Sequence, residues 1–155
     1  MDISFIGWIH TLIALIAILS GAYSLKKYTI IETKNFSAKV FIVATIIAAI
    51  TALLIYKRGF GVGHLLAIIT LLAVIFGYIN EKGLFFGFLA PYFQIISYSA
   101  LFLFHMIPGI TEILRRFPTD NPIVIDSNVD HPILISFYIT FFISYLIITT
   151  NQIIC

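Results

Sequence analysis

The chain has 155 residues, 61% hydrophobic and only 10% charged, with nine Lys/Arg against seven Asp/Glu for a formal net charge of +2. A soluble domain carries about 25% charged residues, and disordered or nucleic-acid-binding chains carry far more net charge, so these classes are excluded. A mean hydropathy of +1.08 leaves a polytopic membrane protein, a single transmembrane domain over residues 1–155, because no polar stretch is long enough to fold alone.

Met1, Asp2, Ile3 and Ser4 lack the basic lead of a cleaved secretion signal. The first apolar run, residues 3–25, is therefore expected to remain as a membrane-spanning helix. Further apolar runs cover residues 40–56, 60–79, 84–111 and 133–154. A helix needs about 20 apolar residues to cross the hydrocarbon, with a range of about 17–25. The second run is near the short limit and the fourth exceeds the long one. Pro91 is expected to divide the fourth into a short lead-in (84–90) and a span (92–110). The expectation is an all-α bundle of about five transmembrane helices.

Short polar connections, 26–39, 57–59 and 80–82, join the first four runs. The segment 112–132 differs: Pro118, Pro122 and Pro132 with Asp120, Asp126 and Asp130 predict an ordered, turn-rich loop. Phe117 and residues 123–125 are its candidate anchors on the helix ends. Basic residues near the membrane are Lys26, Lys27, Lys34, Lys39 and Lys82 on one side. On the other are Lys57, Arg58, Arg115 and Arg116, accompanied by acids. The balance favours an external N-terminus and an internal C-terminus.

His10 opens the string His-Thr-Leu-Ile-Ala-Leu-Ile and His64 opens His-Leu-Leu-Ala-Ile-Ile-Thr, with Gly21 and Tyr23, or Gly77 and Tyr78, following each. This predicts a parallel repeat relating helices 1–2 to helices 3–4.

Polar side chains inside a bilayer are costly, so those present point to function. His10, His64 and His131 lie near the starts of helices running one way, and His105 is expected near the end of a helix running the other way. All four are therefore expected in one leaflet. Gly7, His10, Ala14, Ala17 and Gly21 form a small-residue stripe that lets a neighbour approach. Ala44, Ala48 and Ala52 form another. Gln94, Tyr98, His105 and Glu112 fall within about 40° on a regular helix, and Ser136, Thr140 and Ser144 repeat the pattern with hydroxyls. Pro108 and Gly109 beside His105 are expected to kink or unwind that helix.

Two chemistries fit these residues. Imidazoles flanked by small residues suit haem b, with His10, His64 and His105 as the binding residues, for a redox role. His64, His105, Glu112 and His131, with Asp130 nearby, could instead hold a divalent metal ion. The alternative is a lipid or quinone site lined by the 15% aromatic residues, with Arg115 and Arg116 holding an anionic headgroup, or a structural accessory subunit of a larger membrane complex. A membrane-protein partner or a homo-oligomer is compatible with the short loops; nucleic acid is not expected. No P-loop, G-x-S-x-G elbow or dinucleotide fingerprint points to an enzyme.

The segment 105–118 with Phe104 before it (FHMIPGITEILRRFP) and the His-led strings of helices 1 and 3 resemble small, uncharacterised multi-pass bacterial inner-membrane proteins. That resemblance implies a helical bundle and carries no activity. A more distant similarity, in helix number and intramembrane histidines, links the chain to small cytochrome b-type four-helix proteins. The Ile-rich composition resembles that encoded by AT-rich bacterial genomes.

Overall fold

The computed structural model describes residues 5–55, 59–118, 120, 122–124 and 130–154. They form α1 (Phe5–Tyr28), α2 (Phe36–Leu54), α3 (Val62–Glu81), a single 3-10 turn (Gly87–Leu89), α4 (Ala90–Arg116) and α5 (Pro132–Ile154). Five helices, the fourth counted with its lead-in turn, are long and apolar enough to cross a membrane, and the chain is an all-α membrane bundle.

The expected lead-in before Pro91 is the 3-10 turn, and Pro91 occupies the first turn of α4, where its missing amide has no partner to lose. The helices overrun the apolar runs. Lys26 and Lys27 end α1, Lys39 lies in the first turn of α2, Glu81 closes α3, and Arg115 and Arg116 close α4. Charge marks where apolar solvent ends, while backbone hydrogen bonding carries each helix a turn further.

Helices α1 to α4 pack in sequence, and a lighter α1–α4 contact closes the four into a bundle; α5 lies outside, against α4. The core holds Ala17, Phe41, Ala48, Tyr98 and Leu101. Glycine permits two of the closest approaches. A Cβ on Gly77 would lie 2.5 Å from Tyr98 Cε1, and one on Gly21 would lie 2.5 Å from Phe102 Cζ. Tyr98 and Phe102, one turn apart on α4, thus seat in notches on α3 and α1. The two glycines of the expected repeat share this role. Their histidines do not share a setting, as described below.

The connection between α1 and α2 lies over one end of the bundle and is held there by buried amides. Gln94 Nε2 donates to the Ile31 carbonyl at 2.9 Å, and Gln152 Nε2 donates to the Thr29 carbonyl at 2.7 Å. At the opposite end the Val124 amide donates to the Leu114 carbonyl at 3.0 Å, and buried Val124 packs with Leu114 and Leu134. Val124 is thus the anchor of the long loop, whereas Phe117 and Ile123 are exposed. Ile125, Asp126, Lys57, Arg58 and Cys155 lie outside the described residues.

Candidate functional site

His10 on α1 and His105 on α4 both bond to α2, within about one turn of each other. His10 Nδ1 is 2.9 Å from the Ala48 carbonyl and 3.2 Å from Thr51 Oγ1. A carbonyl only accepts, so Nδ1 carries a proton in this contact. His105 Nε2 is 3.0 Å from Thr45 Oγ1, and both residues are buried. Thr45 has nine residues of α2 on either side. His105 therefore sits at the middle of the span rather than near one surface. Pro108 does not unwind the helix, which continues through Pro108 to Arg116; the removed amide hydrogen bond is a single one, and the turns on either side hold.

The remaining predicted site residues are dispersed. His64 lies in the first turn of α3, accepts the Gly61 amide on Nδ1 at 3.2 Å, and stacks on Phe60. His131 Nδ1 accepts the Ile133 amide at 3.3 Å at the start of α5. Glu112 is exposed and pairs with Arg116 at 2.6 Å, one turn along α4. Among the described residues no three His, Cys, Asp or Glu side chains come together as a metal-ligand group. His64, His105, Glu112 and His131 thus occupy separate places, and of the haem set only His10 and His105 bond to a common helix, α2.

The polar edge expected on α4 does face inward for Gln94, Tyr98 and His105, but Glu112 leaves it. The hydroxyl stripe of α5 is not turned into the bundle. Ser136, Thr140 and Ser144 are exposed, each bonded to a carbonyl of its own preceding turn at 2.7–2.8 Å. That internal bond removes the need for a partner helix.

Sequence reasoning missed a second polar centre. Glu81, at the end of α3, accepts the Thr33 amide at 2.6 Å and the Thr33 hydroxyl at 2.7 Å on Oε1, and the Tyr98 hydroxyl at 2.9 Å on Oε2. One carboxylate therefore joins the α1–α2 connection to α3 and α4. No spacing signals it, because Thr33 and Glu81 are 48 residues apart.

It also missed a groove. Helices α1 and α5 flank α4 with no more than marginal contact between them. They leave a cleft of about 500 Å³ lined by Ala22 and Leu25, Leu103 and Met106, and Phe141 and Ile148. This is within the size range of small-molecule sites, about 300–1,000 Å³. Three hydroxyls reach it, and each has already given its proton. Ser99 donates to Gln152 Oε1 at 2.6 Å, Ser144 to the Thr140 carbonyl at 2.8 Å, and Tyr145 to the Ile96 carbonyl at 3.3 Å. Gln152, which accepts from Ser99, also donates to the Thr29 carbonyl of the α1–α2 connection. A shallower, more open furrow of about 580 Å³ runs between α3 and α4 past Leu72, Phe76 and Ile96.

No protein-family model, curated protein or solved structure matches the chain.

Proposed function

We propose that the protein binds a membrane amphiphile by its hydrocarbon tail in the groove between α1, α4 and α5. The observation that carries this reading is a laterally placed apolar cleft whose three hydroxyl protons are all committed within the protein. A quinone head would require a donor to its carbonyl, because an unpaired polar group in hydrocarbon is costly. A saturated or unsaturated chain requires only apolar contact. The Ile-rich composition supports a bacterial inner-membrane setting, and the basic-residue balance supports an external N-terminus.

The test is photolabelling in lipid nanodiscs containing a phosphatidylcholine with a diazirine in its acyl chain. Labelled peptides should centre on Leu103, Met106 and Phe141, and Ser144→Trp should reduce that labelling severalfold. Labelling spread evenly over the exposed faces of α3 and α5 would overturn the reading.

Haem or metal binding for a redox role is the second reading. It is supported by His10 Nδ1, whose bond to the Ala48 carbonyl is of the kind that orients a ligating imidazole. The groove is favoured because neither His10 nor His105 lines it, and both rings are already fastened to α2. An absorption spectrum of the purified protein separates the two readings. A Soret band lost in His10→Ala or His105→Ala would move the ligand site to the histidines.

A further inference from the structure

Resting on the groove as a tail site, the geometry points to an anionic glycerophospholipid as its occupant, with the phosphate held at Lys26 and Lys27 on the last turn of α1. The groove's α1 wall is Ala22 and Leu25. Lys26 follows Leu25 directly and lies one turn above Ala22 on the same face, so the first cations met on leaving the cleft along α1 are Lys26 and Lys27. Both are exposed. The Lys27 ammonium lies 5.6 Å from the Tyr23 ring centre and 5.2 Å from that of Tyr28. Tyrosine and lysine together mark the headgroup level of a bilayer, which puts this turn at phosphate depth.

Among the described residues the side-chain carboxylates at this end are already committed. Glu32 pairs with Lys34 at 2.6 Å, and Glu81 is held by Thr33 and Tyr98. Among the described residues neither Lys26 nor Lys27 has a carboxylate within salt-bridge distance, so their charge is available to a ligand. At the other end Arg116 is paired with Glu112. Arg115 lies nine residues beyond Met106, roughly 14 Å along α4. Charge and reach therefore favour the lysine end over the arginine pair.

The test uses the full chain and two lipids with identical acyl chains, phosphatidylglycerol and phosphatidylcholine, bound in detergent and followed by native mass spectrometry. Groove photolabelling in nanodiscs runs alongside. Phosphatidylglycerol should bind about 25-fold more tightly, since each of the two lysines contributes roughly fivefold. Lys26→Gln with Lys27→Gln should bring the two lipids within twofold while groove labelling stays unchanged. The proposal is overturned if the wild type binds both lipids equally with the groove still labelled. It is equally overturned if the preference survives the lysine pair or is lost instead in Arg115→Gln with Arg116→Gln. An unlabelled groove would remove the underlying reading as well.

Discussion

Thr45 Oγ1 and His105 Nε2 lie 3.0 Å apart at the centre of α2, in a part of the bundle closed to lipid and water alike. Neither group has solvent to fall back on, so each depends on the other. The expected cost of Thr45→Val is about 1 kcal/mol, the scale of interhelical hydrogen bonds in membranes, which average about 0.6 with a maximum near 1.7. A double-mutant cycle of Thr45→Val with His105→Leu, read by unfolding in mixed micelles, should return a coupling of about 0.5–1.5 kcal/mol. Strict additivity would mean that the contact contributes no energy of its own.

The Gly77 notch gives a sharper steric prediction. Its added Cβ would meet Tyr98 Cε1 and Cδ1 at 2.5 and 2.6 Å. Tyr98 cannot swing aside easily: it is almost completely buried, and its hydroxyl is tied to Glu81 at 2.9 Å. Gly77→Ala should therefore cost about 1–3 kcal/mol as an overpacking change. A Cβ added at Gly109 would meet nothing within 4 Å. Gly109→Ala should be neutral or stabilising by up to about 1 kcal/mol, from helix propensity alone. Thermal unfolding of the two variants in one detergent checks the contrast.

Glu81 is the only carboxylate seen to join three segments among the described residues, and its loss should loosen the α1–α2 connection first. Glu81→Ala strands the Thr33 amide and hydroxyl and the Tyr98 hydroxyl. Hydrogen bonds to charged groups contribute about 1.5–3 kcal/mol, so a stability loss of that order is expected. Amide hydrogen exchange should accelerate at residues 29–35 before it does so in α2. Uniform acceleration across the bundle would instead place Glu81 in the global fold.

The bundle was legible in the sequence for a simple reason: a bilayer imposes one length scale, and five runs meet it. The helix ends were less legible. Lys26, Lys39, Glu81 and Arg115 read as loop charges yet are helical, since hydropathy reports solvent and not backbone hydrogen bonding. The inward polarity of Gln94, Tyr98 and His105 followed from helical spacing. The outward Ser136, Thr140 and Ser144 did not, because a hydroxyl satisfied within its own helix carries no signal of which way it faces. The depth of His105 was hidden by Pro108 and Gly109, which read as a kink or unwinding near the end of the span, although α4 continues for eight residues beyond Pro108. The Glu81 centre and the α1–α4–α5 groove depend on contacts between distant segments, and no local pattern encodes them.

The histidines and the groove can be separated by a crossed pair of variants. His105→Ala removes a buried side chain and strands Thr45, so stability should fall by about 1–3 kcal/mol, the cost of an unsatisfied buried group. His105 does not line the groove, so acyl-chain photolabelling at Leu103 and Phe141 should stay within twofold of wild type. Ser144→Trp fills the cleft from its α5 side. The lost hydroxyl bond was made within α5 itself, and the exposed position limits repacking, so stability should change by less than about 1 kcal/mol, as for surface substitutions away from packed features. Photolabelling should fall severalfold. Loss of labelling in His105→Ala without unfolding would tie the histidine to the ligand and reverse the assignment of the site.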